Sequence, residues 1–162
     1  MSSHPPSSRR LTLAVVITAG LLVMGLGGLA TDIGPWYFAL RTPAWQPPDW
    51  LFGPAWTLIY LCAGVSAVRA WEADAPPAWR RRLLRLWAVN GVLNLAWSVL
   101  FFSLQRPLWA LFEVPLLWLS ILALVLHIAP RSRQAAAWLL PYLLWVAFAA
   151  TLNASIVQLN PA

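Results

Sequence analysis

Trp36–Trp56, WYFALRTPAWQPPDWLFGPAW, packs four tryptophans and four prolines into 21 residues between long apolar runs. Prolines 43, 47, 48 and 54 lack the backbone N–H a helix interior needs, and they preset extended or turn geometry. The segment therefore cannot be one continuous helix. At a membrane boundary it is expected to fold as a short cap over helix ends, its indoles either lying in the interfacial belt or roofing a cavity.

The rest of the chain supplies that boundary. Of 162 residues 60% are hydrophobic and 10% charged, with a mean hydropathy of +0.68, far too little charge to cover a soluble domain of this size. Crossing about 30 Å of hydrocarbon takes roughly 20 apolar residues. Five runs qualify: Leu11–Thr31, Pro54–Trp71, Leu83–Leu104, Leu108–Ile128 and Ala135–Leu159. Backbone groups in lipid must pair within their own segment, so the expected fold is an all-α integral membrane bundle of five helices. It forms a single domain, with residues 32–53 as a Trp/Pro-rich extramembrane loop between the first two.

All eleven basic residues are arginine. With five spans, Arg9, Arg10, Arg69, Arg80, Arg81, Arg82, Arg85, Arg131 and Arg133 fall on one side, and Arg41 and Arg106 on the other. Nine against two predicts a cytoplasmic N-terminus, with the first loop and the C-terminus outside. The opening SSRRLTLAVV resembles a twin-arginine export signal, but its uncharged run exceeds the usual core of about 7–15 residues, and four further spans leave nothing to export. A retained first span is expected. The net charge of +6 does not indicate nucleic acid, because the arginines sit at the ends of apolar runs. Cys62, His4 and His127 lack metal-site spacing, so no metal is expected. No internal repeat suggests an inverted-repeat transporter.

Polar and aromatic residues inside the spans fall into stripes. Trp56 and Tyr60 share a face of the second span; Asn90, Asn94 and Ser98, with Trp97 beside them, line the third; Tyr142, Trp145 and Ala149 line the fifth. Each aromatic alone is a core filler, and each Asn alone a helix-to-helix tie. Together, under a rigid aromatic roof, they describe a cavity for a large, planar, mostly apolar ligand. Glu113 is the one acid well inside a span, two turns from Arg106; it is expected to be protonated, paired or near the interface, with a structural hydrogen bond to a neighbouring helix and a functional role both open.

At these residues the sequence resembles the TspO/MBR family, the tryptophan-rich sensory proteins that include the mitochondrial translocator protein. The resemblance runs from about Leu11 to Asn160 and is carried by WYFALRTPAWQPPDWLFGPAWTLIY, LNLAWSVLFF and PYLLWVAFAATLNASIVQLN. It implies a five-helix bundle, usually dimeric, that binds porphyrins and haem as ligands, and synthetic isoquinoline carboxamide or benzodiazepine-type compounds, with no required cofactor. Carried over, the pocket would use Tyr37, Trp45 and Pro47 from the loop, Trp56 and Tyr60, then Asn90, Asn94 and Trp97, and finally Trp145, Phe148 and Ala149. Trp56 or Asn90 would donate to a ligand carbonyl. Trp56 and Trp145 match tryptophans implicated in light-dependent porphyrin breakdown in bacterial relatives.

Two departures matter. No basic residue follows Tyr142, which puts sterol binding by the mitochondrial motif in doubt. The loop lysine typical of the family is replaced by Arg41–Thr42, which would meet a propionate with different reach. A tetrapyrrole-binding sensory or regulatory protein is the leading expectation. Alternatives are porphyrin degradation in light and oxygen, for which the chain has no conventional acid–base or nucleophile set, and transport of porphyrin or sterol. The arginine-rich composition fits a bacterial cell membrane.

Overall fold

The computed structural model describes residues 6–31 and 33–161; the N-terminal segment 1–5, read as cytoplasmic, and Asp32, at the start of the loop, lie outside the described residues. Every regular element among the described residues is helical. They are α1 (Pro6–Ala30), α2 (Pro35–Ala39), a 3₁₀ turn at Asp49–Leu51, α3 (Phe52–Glu72), α4 (Pro77–Ser98), α5 (Pro107–Ile128), α6 (Arg133–Ala137) and α7 (Leu140–Leu159). Among the described residues four stretches are long and apolar enough to cross a membrane: Asp49–Glu72, Pro77–Ser103, Pro107–Ile128 and Arg133–Leu159. The first expected span is helical as α1, but the structure does not establish it as a fifth crossing. It lies against α3 and α4, with Val16 beside Gly64 and Val23 beside Gly91, and the Ser103 hydroxyl donates to the Ala30 carbonyl at 2.9 Å.

The central helix is α5, packed between α4 and α7. Its residues Val114, Leu117, Ile121, Leu124 and Ile128 recur at three- and four-residue spacing and are all buried. The opposite face carries Phe112, Leu116, Leu119 and Leu126, all exposed, as are Leu58 and Leu61 on α3 and Leu144 on α7. So large an apolar surface is untenable in water and expected against acyl chains. Because lipid is as apolar as these side chains, close packing and interhelical hydrogen bonds hold the helices together.

Prolines punctuate the elements. Pro77 and Pro107 sit in the first turns of α4 and α5, where a missing N–H costs nothing. The third span begins at Pro77, not Leu83: the arginines 80–82 continue the helix out past the apolar run. It closes with a π turn at Val99–Ser103, in which the Leu104 N–H reaches back to the Val99 carbonyl at 2.8 Å. Gln105 then takes a positive φ of 54°, a left-handed conformation unusual for a residue with a Cβ, to reverse the chain into α5. The last expected span is interrupted: α6 ends at Ala137 and α7 begins at Leu140, with Pro141 in its first turn. Pro141 cannot donate to the carbonyl four residues back, so the ladder restarts there.

Candidate functional site

The loop closes one end of the bundle. In α2 the Tyr37 hydroxyl donates to Asp49 Oδ1 at 2.9 Å, and Gln46 Nε2 donates to both the Tyr37 oxygen and Asp49 Oδ1 at 3.3 Å. This triangle ties the helical start of the loop to the turn that feeds α3. At the other edge, Asn160 beyond α7 receives the Arg41 N–H and donates to the Arg41 carbonyl, both at 2.9 Å. A backbone lacking its own ladder is thus held by side chains from residues up to 119 positions away.

Burial, then the hydrogen bond and the charge of Asp49, push the Tyr37 phenol up to about 12, against an opposing contribution from Gln46. The unfolded chain's phenol ionises near 10. Its contribution to stability is therefore complete below pH 10 and is lost as the pH rises from 10 towards 12. The stability difference between wild type and Tyr37→Phe, measured by thermal unfolding, is expected to shrink across that interval. A difference that stays constant to pH 12 would show that neither burial nor Asp49 holds the phenol protonated.

Beneath the loop runs a chain of rings. Trp45, 51% exposed, meets Phe148 edge-on at 5.9 Å between centroids. Phe148 contacts Trp145 at 5.3 Å; Trp145 meets Phe52 at 5.8 Å and Trp56 at 6.3 Å, both edge-on. Trp56 stacks on Tyr60 at 5.6 Å and meets Tyr142 edge-on at 6.2 Å. Edge-to-face geometry sets a positive ring edge against a negative face, which fixes each indole's orientation. A second ring group joins Trp97, Phe101 and Phe102 from the end of α4 to Trp36 and Tyr37 of α2. Pro47 is half-buried in the loop and Ala149 half-buried on α7.

Below the rings the polar stripes meet. The Tyr60 hydroxyl donates to Asn94 Oδ1 at 2.8 Å, and Asn94 Nδ2 donates to the Tyr142 oxygen at 2.9 Å. Tyr142 donates onward to Asn90 Oδ1 at 3.4 Å, Asn90 Nδ2 donates to Ser120 Oγ at 2.9 Å, and Ser120 ends on the Leu117 carbonyl at 2.7 Å. This relay crosses α3, α4, α7 and α5. It occupies one of the two Nδ2 hydrogens of Asn90, and through it the amide joins α4 to α5. By contrast, the indole N–H groups of Trp97 and Trp145 are buried without a partner.

An interhelical hydrogen bond of Glu113 is not formed. The residue is 9% exposed, and both carboxylate oxygens lack a partner. Asn90 bonds Ser120, and two turns along each antiparallel helix set Trp97 near the level of Glu113, while Ala110 and Leu117, one turn to either side of it on α5, carry no side-chain donor. Arg106 lies outside, its guanidinium 5.9 Å over the Trp109 ring. Among the described residues no three His, Cys, Asp or Glu side chains come together as a metal site. Cys62 is buried in α3, and His127 stacks on Trp79 at 4.7 Å.

Sequence reasoning missed Ser120, Asp49, Gln46 and Phe52. Ser120 was detectable as the residue seven after Glu113 on the same face; the others gain meaning only when the loop folds back.

Four apolar spans, a polar relay between them and an aromatic roof define an α-helical integral membrane protein. Residues 12–159 match the TspO/MBR family, and the chain belongs to it. It is 40% identical over 159 residues to the tryptophan-rich protein TspO of Chlorobaculum tepidum, covering 93% of this chain and 97% of that one. It is 36% identical to the translocator protein of Sus scrofa, covering 82% of each. With the tryptophan-rich sensory protein of Cereibacter sphaeroides it shares 30% identity over 77% of each.

Proposed function

We propose that this protein is a membrane receptor for a tetrapyrrole, protoporphyrin or haem, held between the aromatic roof and the polar relay, and that it senses or regulates that ligand. In this reading α1 is a fifth span, the N-terminus is cytoplasmic, the roof and C-terminus face outward from a bacterial cell membrane, and the protein works as a homodimer. The observation that carries it is the unbroken ring chain Trp45–Phe148–Trp145–Trp56–Tyr60, backed by the unpartnered Trp145 N–H. Flat aromatic walls suit a macrocycle, and rigid ones lower the entropy lost on binding. Tyr37, Trp45 and Pro47 form the roof; Trp56, Tyr60, Trp145, Phe148 and Ala149 the walls; Asn90, Asn94 and Trp97 the polar floor. Isoquinoline carboxamides and benzodiazepine-type ligands would enter the same space.

Titrating protoporphyrin into the purified protein and following tryptophan quenching tests this. Saturable quenching, weakened about tenfold in Trp56→Ala, is expected, a loss of about 1.4 kcal/mol. Unchanged affinity in that variant would remove the pocket from this location. The adjacency of Trp56 and Trp145 also favours a second reading, in which the bound porphyrin is oxidised by oxygen in light with the indoles as electron partners. Bleaching no faster than that of free porphyrin under illumination would dismiss it.

A further inference from the structure

A cavity of about 330 Å³ lies at the edge of the loop, lined by none of the residues proposed above to hold the tetrapyrrole. Trp36 and Leu40 of α2 form one wall, the start of α5 with Arg106 and Trp109 another, and Val157 and Asn160 at the end of α7 the third. Its size is at the lower end of the range that takes small ligands, about 300–1,000 Å³. Because α5 begins and α7 ends here, the cavity sits at a membrane boundary. Leu108 and Trp109 beside it are 46% and 57% exposed, so its flank meets the bilayer.

Among the described residues the lining is apolar on every wall except for Gln105, Arg106 and Asn160, and contains no carboxylate. The Asn160 amide is committed to Arg41 and to the Ile156 carbonyl, which leaves the exposed Arg106 guanidinium as the cavity's ionic group. The partial positive charge at the start of α5 adds to it. We propose that this cavity binds an anionic phospholipid of the surrounding bilayer, its phosphate on Arg106 and the first part of an acyl chain along Leu40, Trp109 and Val157. A guanidinium offers a phosphate two parallel hydrogen bonds, and Trp109 beneath it stacks on the same group. A soluble anion would leave the apolar walls wet. A zwitterionic headgroup would bring an ammonium for which the lining has no acid. An occupant touches α2, α5 and α7 at once.

Native mass spectrometry of the full chain in detergent, with phosphatidylglycerol and phosphatidylcholine of matched acyl chains, tests the proposal. Phosphatidylglycerol is expected to be retained preferentially, with retention falling about tenfold in Arg106→Gln, as for a lost charge-assisted bond. Val157→Trp fills the cavity without altering charge and should lower retention as well. Arg85→Gln, at the opposite end of the bundle, should not. Porphyrin quenching of Arg106→Gln should match wild type, which keeps this test separate from that of the roofed site. Equal retention of the two lipids, or retention unaffected by Val157→Trp, overturns the proposal, and the latter decides even if Arg106→Gln misfolds. Displacement of the lipid by inorganic phosphate at millimolar concentration would instead assign the site to a soluble anion.

Discussion

Trp145→Ala is expected to lose both stability and ligand affinity, the largest effect of any single substitution in this protein. Trp145 touches Phe52, Trp56 and Phe148, so truncation removes the middle of the ring chain and takes one ring contact from each of three aromatics. Removing a large aromatic from a packed interior costs about 3–5 kcal/mol; because Trp145 is only half-buried, about 3 kcal/mol is the expected loss. Unfolding in mixed detergent measures it. Porphyrin affinity should fall at least about tenfold. Trp145→Phe separates the two roles of the side chain: it restores most of the ring contact but not the N–H, which has no partner in the protein. Affinity that stays low in Trp145→Phe while stability recovers assigns the N–H to the ligand. Recovery of both assigns Trp145 to packing alone.

The second large effect is expected at Asn94. Leucine has the same branched shape, though it is larger, and neither donates nor accepts, so Asn94→Leu leaves the Tyr60 hydroxyl without its acceptor and the Tyr142 oxygen without its best donor. Single interhelical hydrogen bonds in membranes contribute about 0.6 kcal/mol on average and up to about 1.7, while a stranded buried polar group costs about 1–3. Two bonds and a stranded Tyr60 hydroxyl give about 2 kcal/mol. Asn90→Leu removes one good bond, to Ser120, and one long one at 3.4 Å, and should cost less. A neutral Asn94→Leu would mean that the hydroxyls find other partners and that the relay does not order the site.

The parts of this molecule legible in the sequence are those that depend on one segment at a time. Apolar runs of about 20 residues marked α3, α4 and α5, since length against bilayer thickness is a property of a single helix. Four prolines in Trp36–Trp56 ruled out a continuous helix there. The i, i+4 spacing of Trp56 with Tyr60 and of Asn90 with Asn94 put each pair on one face. The break before Leu140 was harder to see, because Pro141 is tolerated in a first turn as readily as it interrupts a longer helix. For Glu113 the sequence leaves a structural hydrogen bond and a functional role both open; which side chains face it is a relation between helices and leaves no trace in any one of them.

From the chain alone come the class of protein, the helices, the interrupted roof and the side chains available to face inward, because periodicity and proline chemistry act locally. Tertiary structure decided which faces meet. It turned two asparagines and two tyrosines into one relay ending on Ser120, locked Tyr37 onto Asp49, clasped Arg41 to Asn160 and opened a cavity beside Arg106. Those outcomes depend on the rotation and offset of one helix against another, set by packing summed over many contacts that no short stretch of sequence contains.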